Sequence, residues 1–197
     1  MEFQEFKEKY LKETVPENKI EMISSFSNSI NKSDLNFFAT QYKNESDGKV
    51  RVKIIDIIAN SAPEFSNSIL IEALTDNFIT ARKAAVIALG KNKFHSALKP
   101  LLEMLSNPSL EIKDEVTKSI VNIGKLGDVS VIINYFDNGN IHVKRAIPTI
   151  LGRIQSDESI SCLKKLLHKS DPEVRYNAIK ALEKHIQAKD SSLITNL

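Results

Sequence analysis

Five basic residues stand at equal intervals of 31 along this chain: Arg51, Arg82, Lys113, Lys144 and Arg175. Cations on a fixed pitch could track a phosphate backbone, each neutralising one phosphate and releasing a counterion. They could equally pair with acidic or amide residues recurring on the same pitch, a structural ladder worth about 0–1 kcal/mol per exposed pair. The ladder is the expected use, because Asp47, Ser109, Asn140 and Asp171 each stand four residues before a member of the basic column. Other reactive side chains are sparse. The histidines are His95, His142, His168 and His185, and none is spaced i, i+4 as a helical metal pair would be. Cys162 is the single cysteine, with Lys164 and Lys165 close in sequence. A reactive thiolate needs a cation or a helix N-terminus beside it, but a lone cysteine on a half-buried helix is read as packing. No catalytic, metal or cofactor site is expected.

Composition narrows the classes further. Of 197 residues, 42% are hydrophobic and 26% charged, the balance of a folded protein rather than a disordered one. No apolar run approaches the roughly 20 residues that span a bilayer. The start, MEFQEFKEKYLKE, carries charges throughout and does not read as a signal peptide. With one cysteine there is no internal disulfide, so a cytoplasmic setting is expected. Net charge is +2, and the sequence pI of about 8.5 falls below the value above about 9 common in nucleic-acid binders. The basic excess gathers in the last third, at Lys144, Arg145, Arg153, Lys164, Lys165 and Lys169. That cluster keeps nucleic-acid binding as an alternative that is not favoured.

The elements that position these residues follow from the same period. The residue before each basic one is apolar: Val50, Ala81, Ile112, Val143, Val174. Three positions after it come Ile54, Ala85, Val116, Ile147 and Ala178, then Ile57, Ala88, Ser119, Ile150 and Ala181 at +6, and Ile58, Leu89, Ile120, Leu151 and Leu182 at +7. This spacing keeps one face of a helix apolar. Gly90 and Gly152 follow the last periodic residue, where a left-handed cap is expected. Asp47, Ser109, Asn140 and Asp171 are expected N-caps; the slot at Phe78 breaks the rule, so Asp76 or Asn77 should cap there. A second helix carries apolar residues at +16, +19 and +23, as in Leu98, Leu101, Leu105 and in Val129, Ile132, Phe136. Pro148 lies within a first helix and removes one of its hydrogen bonds. Each unit is thus a helical hairpin that must stack on its neighbours.

Backward extrapolation gives a degraded unit with Ile20, Ile23, Phe26, Leu35, Phe38, Ala39 and Tyr42, preceded by an amphipathic stripe of Phe3, Phe6, Tyr10 and Leu11. Forward extrapolation places Ile194 and Leu197 on the second helix of a last hairpin. The expected fold is all-α, a right-handed α-α superhelix of about six hairpins. A capping helix at 1–15 precedes units at about 16–46, 47–77, 78–108, 109–139, 140–170 and 171–197.

Asp171-Pro172-Glu173-Val174-Arg175 with Ala178, Ala181 and Leu182, and Ala85, Ala88, Leu89, Gly90 with Ala97, Pro100, Leu101, Leu102 and Leu105, resemble HEAT repeats. The resemblance is to the short bacterial class first recognised in phycobilisome lyases, whose pattern is D-P-x-V-R-x-x-A-x-x-A-L-G followed by A-x-x-P-L-x-x-x-L. It implies an armadillo-type α solenoid. Such repeats serve as scaffolds, adaptors, lyase subunits and nucleic-acid binders, so the fold does not choose among them. HEAT-like hydroxylases carry paired His-Glu dipeptides for a di-iron site, and no histidine here is followed by Glu. HEAT-like DNA glycosylases use a concave face that includes Trp, and this chain has none.

In such a stack the second helices line the concave surface, and a protein or peptide is the expected partner, with no membrane. Outward positions at +17, +18 and +21 give the candidate surface: Ser68, Ile69 and Glu72; Lys99, Pro100 and Glu103; Ser130, Val131 and Asn134; Ser161, Cys162 and Lys165. The +18 column reads Phe38, Ile69, Pro100, Val131, Cys162, Leu193, apolar in every copy. It is either an exposed stripe suited to an amphipathic helix or extended peptide, or a row half-buried between adjacent second helices, which is the favoured reading. The expected function is that of a non-catalytic interaction scaffold or adaptor.

Overall fold

The four apolar columns of the repeat are where the chain packs. In a computed structural model that describes residues 2–26, 32–61, 63–107, 111–124, 128–154 and 156–194, every residue of those columns is buried except Leu182, which is half-buried. The described residues form α-helices and short 3-10 turns without a strand. This is an all-α fold of the α-solenoid class.

Contacts divide the chain into two compact units, residues 1–94 and 95–197. The first holds α1 (Phe3–Lys12), α2 (Pro16–Phe26), α3 (Lys32–Asn44), α4 (Gly48–Ser61), α5 (Pro63–Glu72) and α6 (Ile79–Lys91). Here α4 packs on α2, α3, α5 and α6, so its apolar columns form the centre of the unit. An aromatic cluster seals one end: Phe3 and Phe6 of α1 stack against Phe26 of α2 and Phe37 and Phe38 of α3, with ring centroids 4.7 Å apart for Phe6 and Phe26. Leu11, expected on that stripe, is instead 63% exposed. It lies one position past Tyr10, which takes the inward slot of the same turn.

The second unit holds α7 (Leu98–Met104), α8 (Lys113–Ile123), α9 (Val129–Asn138), α10 (Ile141–Leu151), α11 (Asp157–Leu166) and α12 (Pro172–Ile194). First helices α8, α10 and α12 pack side by side, and second helices α9 and α11 line up beside them. Among the described residues no helix is long and apolar enough to cross a membrane.

The caps follow the chemistry of their residues. Asp47 Oδ1 accepts from the backbone N–H of Lys49 and Val50, Asn140 Oδ1 from those of His142 and Val143, and Asp171 Oδ1 from that of Val174. At the irregular slot Asp76 Oδ1 accepts from Phe78 N–H at 2.8 Å. Ser109 lies outside the described residues.

Two expectations require correction. No described glycine adopts positive φ. Gly90 stays inside α6, and the left-handed cap falls on Lys93 (φ 54°), closed by Phe94 N–H donating to Leu89 O. Gly152 is right-handed at φ −65° and serves proximity: a Cβ there would meet the Ala181 Cβ of α12 at 2.5 Å. The last unit is not a hairpin, since α12 runs unbroken from Pro172 to Ile194. Where earlier units place Asn92-Lys93 or Gly124, α12 has Lys184-His185-Ile186-Gln187, with no residue that stops a helix. The side chains of Leu193, Ile194 and Leu197 lie outside the described residues.

Candidate functional site

The arginines of the basic column share one local task. Arg51 Nε donates to the Glu45 carbonyl, six residues back. Arg82 Nη1 donates to the carbonyls of Asp76 and Asn77, and Arg175 Nη1 to those of Lys169 and Ser170, six and five residues back. Each guanidinium therefore clamps the carbonyls of the turn that feeds its own helix, a use for which its rigid fork of donors is suited.

The expected ladder to the next unit exists at Arg51, whose Nη1 lies 2.7 Å from Asp76 Oδ2. In the second unit it shifts by one position. Arg145, beside Lys144, binds Asp171 through Nε and Nη2 at 3.2 and 2.8 Å, and Glu173 through Nη1 at 2.9 Å. The shift reflects the bidentate fit of a guanidinium to a carboxylate, which an ammonium cannot match.

Asp76 is the most enclosed acid of this set. Burial works to raise its pKa, but hydrogen bonds from the Tyr42 hydroxyl, Phe78 N–H and Arg51 outweigh it and hold the carboxyl below the usual range. Tyr42 is pushed up, first by burial and then by donating to that carboxylate. Asp171 is held low by Arg145 and the Val174 N–H. The arrangement joins elements: Asp76 links Tyr42 of α3, Arg51 of α4 and the start of α6.

The outward positions of the second helices fall as follows. Ser68, Glu72, Lys99, Glu103, Ser130, Asn134, Ser161 and Lys165 are exposed, and Pro100 is half-buried. The +18 column does not form a continuous stripe. Phe38 is wholly buried in the aromatic cluster, Ile69 and Cys162 are buried at 7% and 8% exposure, and Val131 is exposed at 39%. Ile69 and Cys162 sit beside the buried +19 residues Leu70 and Leu163, whereas Val131 stays exposed beside the equally buried Ile132. Leu193 lies outside the described residues.

Two polar ties cross this face. Lys43 Nζ meets Glu72 at 3.0 Å, from α3 to α5, and the Tyr135 hydroxyl donates to Glu103 at 3.1 Å, from α9 to α7.

Between α9 and α11 lies a groove of about 350 Å³. Its floor is Ile133, Phe136, Cys162 and Leu166; its rim is Asp137, Glu158, Ser161, Lys165 and Lys169. The Lys169 ammonium stands 5.6 Å from the Phe136 ring centroid. Burial, and then the Asp137 charge, push the Cys162 thiol up. With its side chain buried, Cys162 serves as part of the packing between α9 and α11. Of the residues singled out from sequence, Ser161, Cys162 and Lys165 of the outward positions and Lys169 of the basic cluster meet here. Phe136 had been counted only as core; Ile133 belongs to a +20 column that is apolar in three successive copies (Ile71, Leu102, Ile133) and was not singled out, while Asp137 and Glu158 gave no signal because the +24 and +14 columns vary between copies.

The basic residues of the last third do not form one stripe. Arg145 and Arg153 line a polar cleft with Lys113, Asp114 and Lys118 on the first helices, whereas Lys165 and Lys169 line the groove of the second helices. The two sets sit on different helices of a hairpin, so sequence proximity does not bring them together. Among the described residues no cluster of His, Cys, Asp or Glu could hold a metal ion.

The family model for HEAT repeats matches residues 35–121 and 129–196. No curated protein matches the sequence. Among solved structures, an engineered protein is 21% identical over 91% of this chain and 94% of its own, with a TM-score of 0.46. A designed armadillo repeat protein in complex with peptide (KR)4 is 19% identical over 90% and 97%, with a TM-score of 0.47. Human deoxyhypusine hydroxylase in complex with glycerol is 12% identical over 93% and 85%, with a TM-score of 0.42.

Proposed function

Because this chain belongs to the HEAT repeat family, we propose that it is a non-catalytic interaction module that binds a segment of another protein on its second helices. The observation that carries this reading is the α9–α11 groove, with an apolar floor of Phe136, Cys162 and Leu166 and a rim bearing both signs of charge. Such a groove takes a peptide that lays an apolar side chain on the floor and aligns its charges with Glu158, Lys165 and Lys169 along the α11 wall and Asp137 on α9. Helices packed on a shared core present that surface with little ordering cost on binding. The module is read as residues 16–197 with α1 as its cap, and the lone thiol suits a cytoplasmic setting.

The test is affinity capture with the full chain beside Ser161→Arg and Lys165→Glu, and Ile87→Asp as a control on exposed surface of the first unit. All three positions are exposed, so thermal stability should stay within about 0.5 kcal/mol. The groove variants should lose at least one partner that wild type and Ile87→Asp retain. If both keep every partner, the groove is not the binding site. Binding of nucleic acid at low salt that collapses at moderate salt would instead favour phosphate recognition.

A further inference from the structure

Within each compact unit the +4 column of the repeat follows what covers a first helix. Ile55 of α4, against which α6 packs, is fully buried; Thr117 of α8, beside α10, is 9% exposed; and Pro148 of α10, beside α12, is buried. Ile179 of α12 is 47% exposed, and among the described residues no first helix packs on that side of α12. The neighbouring +1 column reads Val52, Lys83, Asp114, Arg145 and then Tyr176, an aromatic side chain that is 58% exposed. Ile186, ten residues further along α12, is 61% exposed. This face of α12 therefore shows an apolar stripe of Tyr176, Ile179 and Ile186 with Lys180 and Glu183 set into it.

The order of those residues fits a second copy of the same stripe. When two α12 helices lie antiparallel about a two-fold axis near Ala181 and Leu182, Lys180 of each chain faces Glu183 of the other. Tyr176 of each then lies within one residue of opposing Ile186, the pair spanning about 15 Å of helix. Lys180 and Glu183 already pair within one chain at 3.1 Å and both are exposed, so each is free to share its partner across the axis. We propose that the open face of α12 is an isologous homodimer contact, in which one stripe is both the knob and the surface that receives it. This interface is separate from the second-helix groove and does not depend on it.

The experiment is sedimentation equilibrium of the full chain over a wide concentration range. Wild type should approach twice the 22.1 kDa of one chain and stop there. Ile179→Asp and Tyr176→Ser should shift the midpoint to concentrations at least about tenfold higher, with unchanged far-UV circular dichroism as the check on folding. The decisive arm uses charge. Lys180→Glu alone and Glu183→Lys alone each place like charges across the axis and should weaken association. An equimolar mixture of the two variants should form heterodimer, because both cross-axis pairs are then opposite in sign. A wild-type chain that remains monomeric throughout overturns the proposal. So does growth beyond the dimer, association indifferent to Ile179→Asp, or a mixture no tighter than its components.

Discussion

Asp76 is the point at which two repeat units of the first compact body are tied, and removing its charge should cost more than any surface ion pair. The Asp76 side chain is 1% exposed and that of its partner Arg51 is 19% exposed. Breaking an enclosed pair by deleting one partner costs about 3–5 kcal/mol. Arg51 keeps the Glu45 carbonyl at 2.7 Å, which places Asp76→Ala near the lower end, about 3 kcal/mol. Asp76→Asn retains an oxygen for the Phe78 N–H but weakens two charge-assisted bonds, for a loss of about 1–2 kcal/mol. At about 2–4 °C per kcal/mol for a chain of this size, Asp76→Ala should melt lower by roughly 6–12 °C, followed by far-UV circular dichroism. The pH dependence has a definite sign. Because the folded carboxyl is held below its unfolded value near 4, its contribution is complete above that value. It is lost as pH falls through the lower folded pKa. The wild-type advantage over Asp76→Asn should therefore be flat near neutrality and shrink in acid. A difference below about 0.5 kcal/mol at neutral pH, or one that persists unchanged in acid, would refute the assignment of Asp76 as an enclosed, ionised tie.

Gly152→Ala should destabilise the second compact unit by about 1–3 kcal/mol through overpacking, since its Cβ would lie 2.5 Å from that of Ala181. Adding Ala181→Gly should recover part of that loss in urea denaturation, and additive losses would exclude close approach as the cause. Cys162 should react with a disulfide reagent at least about tenfold more slowly than a free thiol at mildly alkaline pH, and at the free rate once urea unfolds the chain. A fast reaction in the native state would mean that the Cys162 thiol is not packed between α9 and α11 as its 8% exposure indicates.

The periodic core was legible residue by residue. Val50, Ile54, Ile58 and their counterparts announce one buried helix face, and the caps at Asp47, Asn140 and Asp171 announce where each first helix starts. What sequence could not supply was the depth of the variable columns. Ile69 and Val131 occupy the same repeat position with similar side chains, yet one is buried and the other exposed. The column itself does not encode the difference, since the adjacent +19 residues Leu70 and Ile132 are fully buried in both copies. The groove itself was only half visible, because Phe136 was read as core while it also floors the cleft. Likewise, the end of the last hairpin depended on the absence of a helix breaker in Lys184–Gln187, a signal that periodicity alone overrides.

The arginine clamps act on peptide carbonyls, and this has a consequence for how the chain can change. Arg51, Arg82 and Arg175 hold the same backbone positions although the side chains there are Glu45, Asp76 with Asn77, and Lys169 with Ser170. At Lys169 and Ser170 the contact is to main chain alone, so the exposed side chains there can change without loosening the Arg175 clamp. Asp76 and Asp171 are the exceptions, because their carboxylates are themselves held by Arg51 and Arg145. Variation in the turns is thereby channelled to the positions whose side chains no arginine grips.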